Sequence, residues 1–193
     1  MFDLNAYFED EFAEHSQVVA ATRDTLAKPF MRLVEVCTEA VRGGGKLMFF
    51  GNGGSAADAQ HLATELTVRY VQNREPIAAI ALTTDTSALT AISNDFSFDQ
   101  LFARQISALG RRDDVAIGIS TSGRSANVIQ ALHVARELGI VATALTGRDG
   151  GDLVGLADPI LIVPSETTSR IQEMHITLGQ MLCGALERRL GLV

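Results

Sequence analysis

Short runs of apolar residues alternate with amphipathic stretches over most of the chain. The apolar runs have the length of buried strands, and they cover residues 46–50, 77–82, 115–119, 140–145 and 159–163. Between them, helical spacing of apolar positions predicts helices at about 55–69, 87–93, 99–109, 125–138 and 168–190. Apolar strands that alternate with helices are typical of a parallel sheet covered on both faces. The pattern predicts an α/β fold, a doubly wound five-stranded parallel sheet followed by a long C-terminal helix.

The N-terminal region precedes this alternation and has a purely helical pattern. Apolar residues recur at helical spacing on both sides of Pro29. Because proline is tolerated in the first turn of a helix, Pro29 predicts the start of a second helix, and the glycines at 43–45 predict its end. We therefore expect an N-terminal helical hairpin over residues 1–43 and an α/β core over residues 44–193, within a single domain, 1–193.

The composition is that of an ordinary globular chain, with 47% hydrophobic and 20% charged residues among 193. The formal net charge is −7, and no Lys/Arg cluster provides the basic stripe that a nucleic-acid backbone requires. The apolar runs are too short to span a bilayer, and the acidic N-terminal residues do not resemble a signal peptide. Two cysteines, Cys37 and Cys183, are too few for a disulfide framework. We expect a cytoplasmic protein with buried free thiols that binds neither nucleic acid nor a membrane.

Two connections between a strand and a helix contain the residues best suited to hold a ligand, which in such sheets binds at the carboxyl ends of strands. The first connection, residues 51–56, is glycine-rich and precedes a helix whose N-terminal N–H groups can bind an anion. Its Gly-x-Gly-x-x-Ala pattern, with Asp85 at the end of the next strand, also fits a dinucleotide-binding fingerprint or a plain tight turn.

The second connection, residues 120–125, places four hydroxyl groups before a helix. Capping of the helix by Ser125 would explain only one of them. A neutral cradle of hydroxyl and N–H groups suits a terminal phosphate, and a dinucleotide fold does not need it. The two connections together therefore favour a sugar phosphate as the ligand.

Five sequence blocks resemble those of the bacterial phosphoheptose isomerases and stand in the same order. They are GNGGSAADAQHLATEL, AISNDFSFDQLFARQISALG, GISTSGRSANVIQA, ALTGRDGG and RIQEMH. The resemblance covers nearly the whole chain; the STSG block is common to sugar isomerase (SIS) domains, whereas GNGGS together with RIQE is much narrower. It implies a flavodoxin-like SIS domain that converts sedoheptulose 7-phosphate to D-glycero-D-manno-heptose 7-phosphate for lipopolysaccharide or S-layer heptose. It also implies a homotetramer with sites at subunit interfaces and, in several members, a zinc ion.

Matched position by position, the resemblance also implies the residues of the site. Those implied to bind the sugar phosphate are Asn52, Gly53, Gly54, Ser55, Glu65, Arg69, Asn94, Asp95, Ser120, Thr121, Ser122, Ser125 and Gln172. The metal positions are His61, Glu65, Gln172 and Gln180. The catalytic positions are Glu65, as the base, and Gln180.

The spacing of His61 and Glu65 agrees with this assignment. The two residues are four apart on a predicted helix, so their side chains project from one face toward the same point. An imidazole and a carboxylate there could hold a metal ion with an open coordination position. Alternatively, Glu65 could form a surface ion pair with Arg69, and His61 could be a core or capping residue. His175, one turn after Gln172, could line the site or simply pack.

Gln180 departs from the family pattern, which has a histidine at this position. A glutamine cannot carry a proton in the neutral range, and its amide oxygen is a weaker metal ligand than imidazole. A non-catalytic relative that associates with the bacterial replication initiator also lacks this histidine, so an interaction protein and a sugar-phosphate sensor remain alternatives. That relative lacks the glutamate found here as Glu65 and has GNGTS where this chain has GNGGS, which favours the isomerase.

Overall fold

The computed structural model describes residues 2–193, which form a five-stranded parallel sheet between two layers of helices. The strands are β1 (Leu47–Gly51), β2 (Ala79–Ala81), β3 (Val115–Ser120), β4 (Val141–Gly147) and β5 (Ile160–Val163). The helices are α1 (Leu4–Arg42), α2 (Gly54–Thr67), α3 (Thr86–Asp95), α4 (Leu101–Leu109), α5 (Ala126–Glu137) and α6 (Thr168–Arg189). Single 3-10 turns lie at Phe98–Gln100 and Gly151–Leu153. The predicted α/β fold with a long C-terminal helix is confirmed.

The strand order is β2-β1-β3-β4-β5, with all neighbouring strands parallel. After β1 the chain passes to β2 on one side, and it then returns to add β3 on the other side. The connections that leave β1 and β3 therefore diverge, and they open a crevice at the carboxyl ends of these two strands. Such a switch point is where open α/β sheets bind their ligands.

Side chains alternate across β1 and bury both faces of the sheet. Leu47 and Phe49 point into a core shared with α1, α2 and α6. Met48 and Phe50 point into a second core shared with α3, α4 and α5. All four side chains are fully buried, which explains why the strand is apolar throughout.

The N-terminal region is one helix of 39 residues, so the predicted helical hairpin is wrong. Pro29 lies inside α1 and does not begin a new helix. A buried stripe continues across it, from Thr22 and Leu26 to Leu33 and Cys37. Packing of α1 against α6 and the sheet outweighs the single hydrogen bond that the proline removes from the helix.

Cys37 and Cys183 are buried free thiols, as expected. Burial raises the pKa of the Cys183 thiol to about 12, and the negative charges of Glu65 and Glu187 act in the same direction. The thiol therefore stays protonated at neutral pH. In the part of the chain that the structure describes, no helix is long and apolar enough to cross a membrane.

Candidate active site

The candidate site lies in the crevice where the loops after β1 and β3 start side by side. The two strands are paired in register up to Gly51 and Ile119. Across the crevice the side chains of Asn52 and Asn127 exchange two hydrogen bonds, each of 2.9 Å. This amide pair holds the two loops at a fixed spacing. The sequence interpretation missed Asn127, although a polar side chain buried in the first turn of α5, directly after the hydroxyl-rich loop, must find a partner.

The glycine-rich loop ends in the first turn of α2 and lies against α6. Gly53, the residue before the helix, has a φ of 56°, a conformation that favours glycine. A Cβ atom on Gly54 would lie 2.6 Å from Nε2 of Gln172, so a side chain there would collide with this amide. Gly53 is the N-cap residue of α2, and Ser55 is buried in the first turn of this helix. The loop thus meets Gln172 of α6.

The hydroxyl-rich loop forms a compact cradle at the N-terminus of α5. The hydroxyl oxygens of Ser120 and Ser125 lie 3.0 Å apart, and Thr121 and Ser122 are half-buried beside them. Ser125 is the N-cap residue of α5, but within residues 2–193 its side chain makes no capping hydrogen bond. The first N–H groups of α5 therefore stay available to an anion. Simple capping by Ser125, one of the two explanations of the loop, is not what the structure shows.

His61 and Glu65 form a direct pair further along α2. Nε2 of His61 lies 2.9 Å from Oε1 of Glu65, and the two side chains are 46% and 19% exposed. The carboxylate is thus paired with His61, whereas Arg69 lies exposed beyond the end of the helix. One turn closer to the crevice, burial raises the pKa of Asp58, and the nearby His61 opposes this shift. The pair combines a carboxylate partly shielded from water with an accessible imidazole.

The helix α6 runs alongside α2 and carries both glutamines of the candidate site. Gln172, in its first turns, reaches the glycine-rich loop. Further along, a Cβ atom on Gly179 would lie 2.5 Å from the side chain of Leu62, so the two helices pack closely here. Gln180 follows directly and is half-buried. Gln172 therefore lies where α6 meets the start of α2, and Gln180 follows about two turns further along α6.

His175 packs against the sheet, which decides between its two explanations. Its ring is fully buried, and Nε2 donates a hydrogen bond of 3.0 Å to the backbone oxygen of Thr146 at the end of β4. Burial lowers the pKa of His175 to about 4. The imidazole is therefore neutral in the folded protein at neutral pH.

Asn94 and Asp95 lie at the C-terminal end of α3. The amide of Asn94 donates a hydrogen bond of 2.8 Å to the carboxylate of Asp95, and both residues are exposed. Within residues 2–193, neither side chain makes a hydrogen bond to the two loops of the crevice. Asn94 and Asp95 thus bond to each other and not to the two loops.

Comparison with known proteins identifies the family. Residues 11–147 match the SIS domain family. A phosphoheptose isomerase of Paramagnetospirillum magneticum is 59% identical over 181 residues, which cover 94% of each of the two chains. The chain belongs to the phosphoheptose isomerase family.

Two solved phosphoheptose isomerases have the same fold over essentially their full length. The enzyme from Neisseria gonorrhoeae is 44% identical, with a TM-score of 0.91, and the match covers 96% of this chain and 100% of that one. The enzyme from Francisella tularensis is 33% identical, with a TM-score of 0.93, and the match covers 97% of this chain and 100% of that one. The crevice therefore belongs to a fold that this family shares.

The phosphoheptose isomerase resemblance implied a zinc ion, and the donor set of this chain does not fit one well. His61 and Glu65 supply one imidazole and one carboxylate, whereas the other two implied positions, Gln172 and Gln180, supply amides. Among residues 2–193, no group of three or more His, Cys, Asp or Glu side chains could hold a metal ion. Catalytic zinc sites ordinarily use three such ligands. We therefore derive no reaction step through a metal.

Proposed function

We propose that this chain interconverts sedoheptulose 7-phosphate and D-glycero-D-manno-heptose 7-phosphate, an aldose–ketose isomerisation in heptose biosynthesis. The observation that carries the proposal is the pairing of His61 with Glu65 on the helix that starts from the crevice. The donor-rich cradle at the neighbouring strand and the high identity to phosphoheptose isomerases support the same reaction.

The phosphate would bind in the cradle formed by Ser120, Thr121, Ser122 and Ser125. Their hydroxyl groups and the free N–H groups of α5 donate hydrogen bonds, and the positive end of the helix dipole faces the anion. Binding of the remote phosphate contributes to catalysis because it orients the reacting end of the sugar.

The reaction moves one proton between C1 and C2 through an enediol. We assign Glu65 as the base that removes the proton from C1 of the ketose while O2 gains a proton. Glu65 then returns this proton to C2, and the hydroxyl proton that O1 loses replaces the one that O2 gained, so the atoms balance without an oxidant or reductant. Gln172 would donate a hydrogen bond to O1 or O2, where negative charge develops, and His61 would turn its ring N–H from Glu65 to these oxygens once the carboxylate has taken up the proton.

The remaining substrate contacts are proposed from the resemblance and from the location of the residues. Asn52, Gly53, Gly54 and Ser55 form the connection from β1 into the first turn of α2, and Gln172 lies against Gly54. Asn94, Asp95 and Arg69 are exposed polar residues that we assign to the sugar hydroxyl groups. Their exposure agrees with a site that a second subunit completes, as expected for a homotetramer.

Gln180 is proposed to border the site and to offer its amide to the sugar oxygens or to Glu65. It cannot transfer a proton at neutral pH, so Glu65 has to act without the acid–base partner that the family histidine would provide. Because Gln180 supplies an amide where the family has an imidazole ligand, we expect zinc to bind more weakly here than in members with the histidine.

A turnover assay with sedoheptulose 7-phosphate, with and without a chelator, tests the proposed function. We expect the aldose phosphate to form at a rate that the chelator does not abolish. Failure to form the product under both conditions would overturn the isomerase assignment and favour a binding protein. Loss of all turnover with the chelator would show that a metal is required despite the incomplete donor set.

A further inference from the structure

We propose that Arg74 and Glu187 are positioning residues for the catalytic Glu65, an inference that rests on the function proposed above. Arg74 lies in the segment after α2, and Glu187 lies in the last turn of α6. Neither belongs to the sequence blocks that carry the family resemblance. Their side chains form an ion pair that is only 1% and 2% exposed. Two ionised groups buried this deeply must be matched by many hydrogen bonds.

The guanidinium group of Arg74 holds the C-terminal end of α2. Nη2 donates to the backbone oxygen of Glu65 at 2.8 Å, and Nη1 donates to that of Leu66 at 2.7 Å. Such carbonyl groups in the last turn of a helix lack partners within the helix. Arg74 therefore caps the turn of α2 that carries the base, and its positive charge is favourable at this end of the helix.

Glu187 fastens this cap to α6. Oε1 of Glu187 accepts from Nε of Arg74 at 2.8 Å and from the backbone N–H of Tyr70 at 3.2 Å. Because α6 also carries Gln172 and Gln180, the ion pair joins the two helices that hold the candidate catalytic groups. The distance from Glu65 to these amides is then set by a rigid buried contact close to the base itself.

The planar shape of the guanidinium group is essential to this role. Arg74 donates to the side chain of Glu187 and, at the same time, to the backbone of Glu65, Leu66 and Glu75. A lysine would keep the charge opposite Glu187, but its single ammonium group cannot reproduce the fork of donors. The substitution Arg74→Lys therefore keeps the charge of the ion pair and removes the capping of α2, so the two roles can be tested separately.

The test compares the kinetics of three variants with those of the parent chain. Arg74→Lys keeps the charge, and the double variant R74M/E187Q removes both charges while Gln at 187 can still accept from Tyr70. The control is K46M/D114N, which removes another shielded ion pair, located where β1 and β3 begin, at the end of the sheet opposite the crevice. Thermal melts establish that each variant is folded before kcat and KM are measured.

We expect kcat to fall about tenfold or more in R74K and R74M/E187Q, because small displacements of a catalytic group are costly. KM should change less than about twofold, because the phosphate cradle is untouched. The control should lose thermal stability without a fall in kcat. If R74M/E187Q does not fold, R74K alone decides the question.

A folded R74K variant with the kcat of the parent would overturn the inference. A fall in the kcat of K46M/D114N as large as the fall in R74K would overturn it too. If kcat falls in all three variants in proportion to the drop in their melting temperatures, the ion pair is purely structural. That result would also overturn the inference. If the parent chain itself fails to turn over the heptose phosphate, the proposed function and this inference fall together. An active parent with unaffected variants removes this inference alone.

Discussion

Glu65 has the environment expected of a general base. Its carboxylate is mostly shielded from water and paired with His61, and its backbone is held by a buried arginine. Glu65→Gln keeps the shape and removes the basic group, so kcat should fall by roughly 10² or more while substrate binding persists. Steady-state kinetics and calorimetry measure the two effects, with Glu35→Gln, on the exposed part of α1, as the control. Normal turnover of Glu65→Gln would leave Glu65 as only a partner of His61.

The cradle makes a second prediction for single residues. Replacing both Ser120 and Ser125 by Ala removes two hydroxyl groups that lie 3.0 Å apart at the start of α5. Hydrogen bonds to a charged group contribute about 1.5–3 kcal/mol each, so the affinity for sugar phosphate should fall at least about tenfold. The control is Ser107→Ala, whose hydroxyl only bonds within α4. Unchanged affinity in calorimetry would show that the phosphate binds elsewhere.

Gln180 stands where the family pattern has a histidine. The substitution Gln180→His tests how this difference affects zinc binding and turnover. Under the proposal that Gln180 borders the site, an imidazole at this position would supply the third strong ligand and a group that titrates near neutral pH. Zinc occupancy after purification without chelator should rise, as measured by elemental analysis, and turnover should rise if proton transfer is limiting. Gln130→His, exposed on α5, is the control. Stoichiometric zinc and rapid turnover in the parent chain would show that Gln180 is no handicap.

The strands were predictable wherever apolar residues are bounded by polar ones. The predicted run at 115–119 became Val115–Ser120, a fully buried strand with neighbours on both sides. The run at 77–82 shortened to Ala79–Ala81 because β2 is at the edge of the sheet and pairs only with β1. Ile77 and Leu82 are nevertheless buried. The apolar pattern therefore predicts which residues are buried, but it does not predict how many of them pair with a neighbouring strand.

The same limit applies to the site. Glycines and hydroxyl groups after buried strands predict two anion-binding loops from local sequence alone. The Asn52–Asn127 pair and the Arg74–Glu187 pair join residues that are 75 and 113 positions apart. Such contacts depend on how helices pack, which neither periodicity nor spacing encodes. Local rules therefore predict the two loops, and only the fold shows which side-chain pairs hold them and the neighbouring helices together.

The helix α1 continues through Pro29 because its packing outweighs the helix-breaking tendency of proline. The substitution Pro29→Ala measures how much stability the proline costs. Alanine restores an N–H group that can bond to the carbonyl four residues earlier, so the free energy of unfolding should rise by about 1–3 kcal/mol. Chemical denaturation measures the change. Lys28→Ala, an exposed neighbour with similar helix propensity, should change stability little. A loss of stability in Pro29→Ala would show that α1 needs the geometry imposed by the proline to pack against α6.

At the scale of the whole molecule, large aromatic side chains are exposed at the N-terminal end of α1 and just before it. Phe2, Phe8 and Phe12 are 73%, 57% and 59% exposed. An apolar groove of about 390 Å³ also runs between α1 and α6. Its apolar walls include Leu26, Phe30, Met31, Met174 and Met181. Apolar patches of this kind are usually covered by another chain. The family resemblance implies four subunits, and we therefore predict a homotetramer.

The double variant F8S/F12S tests this assembly without touching the sheet or the crevice. Removing two large apolar side chains from the patch should shift the protein to smaller species in light scattering at micromolar concentration. If subunits complete each other's sites, turnover should fall together with assembly and recover as protein concentration rises, because association follows mass action. Val154→Ser, an exposed apolar residue far along the chain from α1, should leave both assembly and turnover unchanged. A monomeric parent chain would refute the tetramer, and full turnover by dissociated F8S/F12S would refute sites shared between subunits.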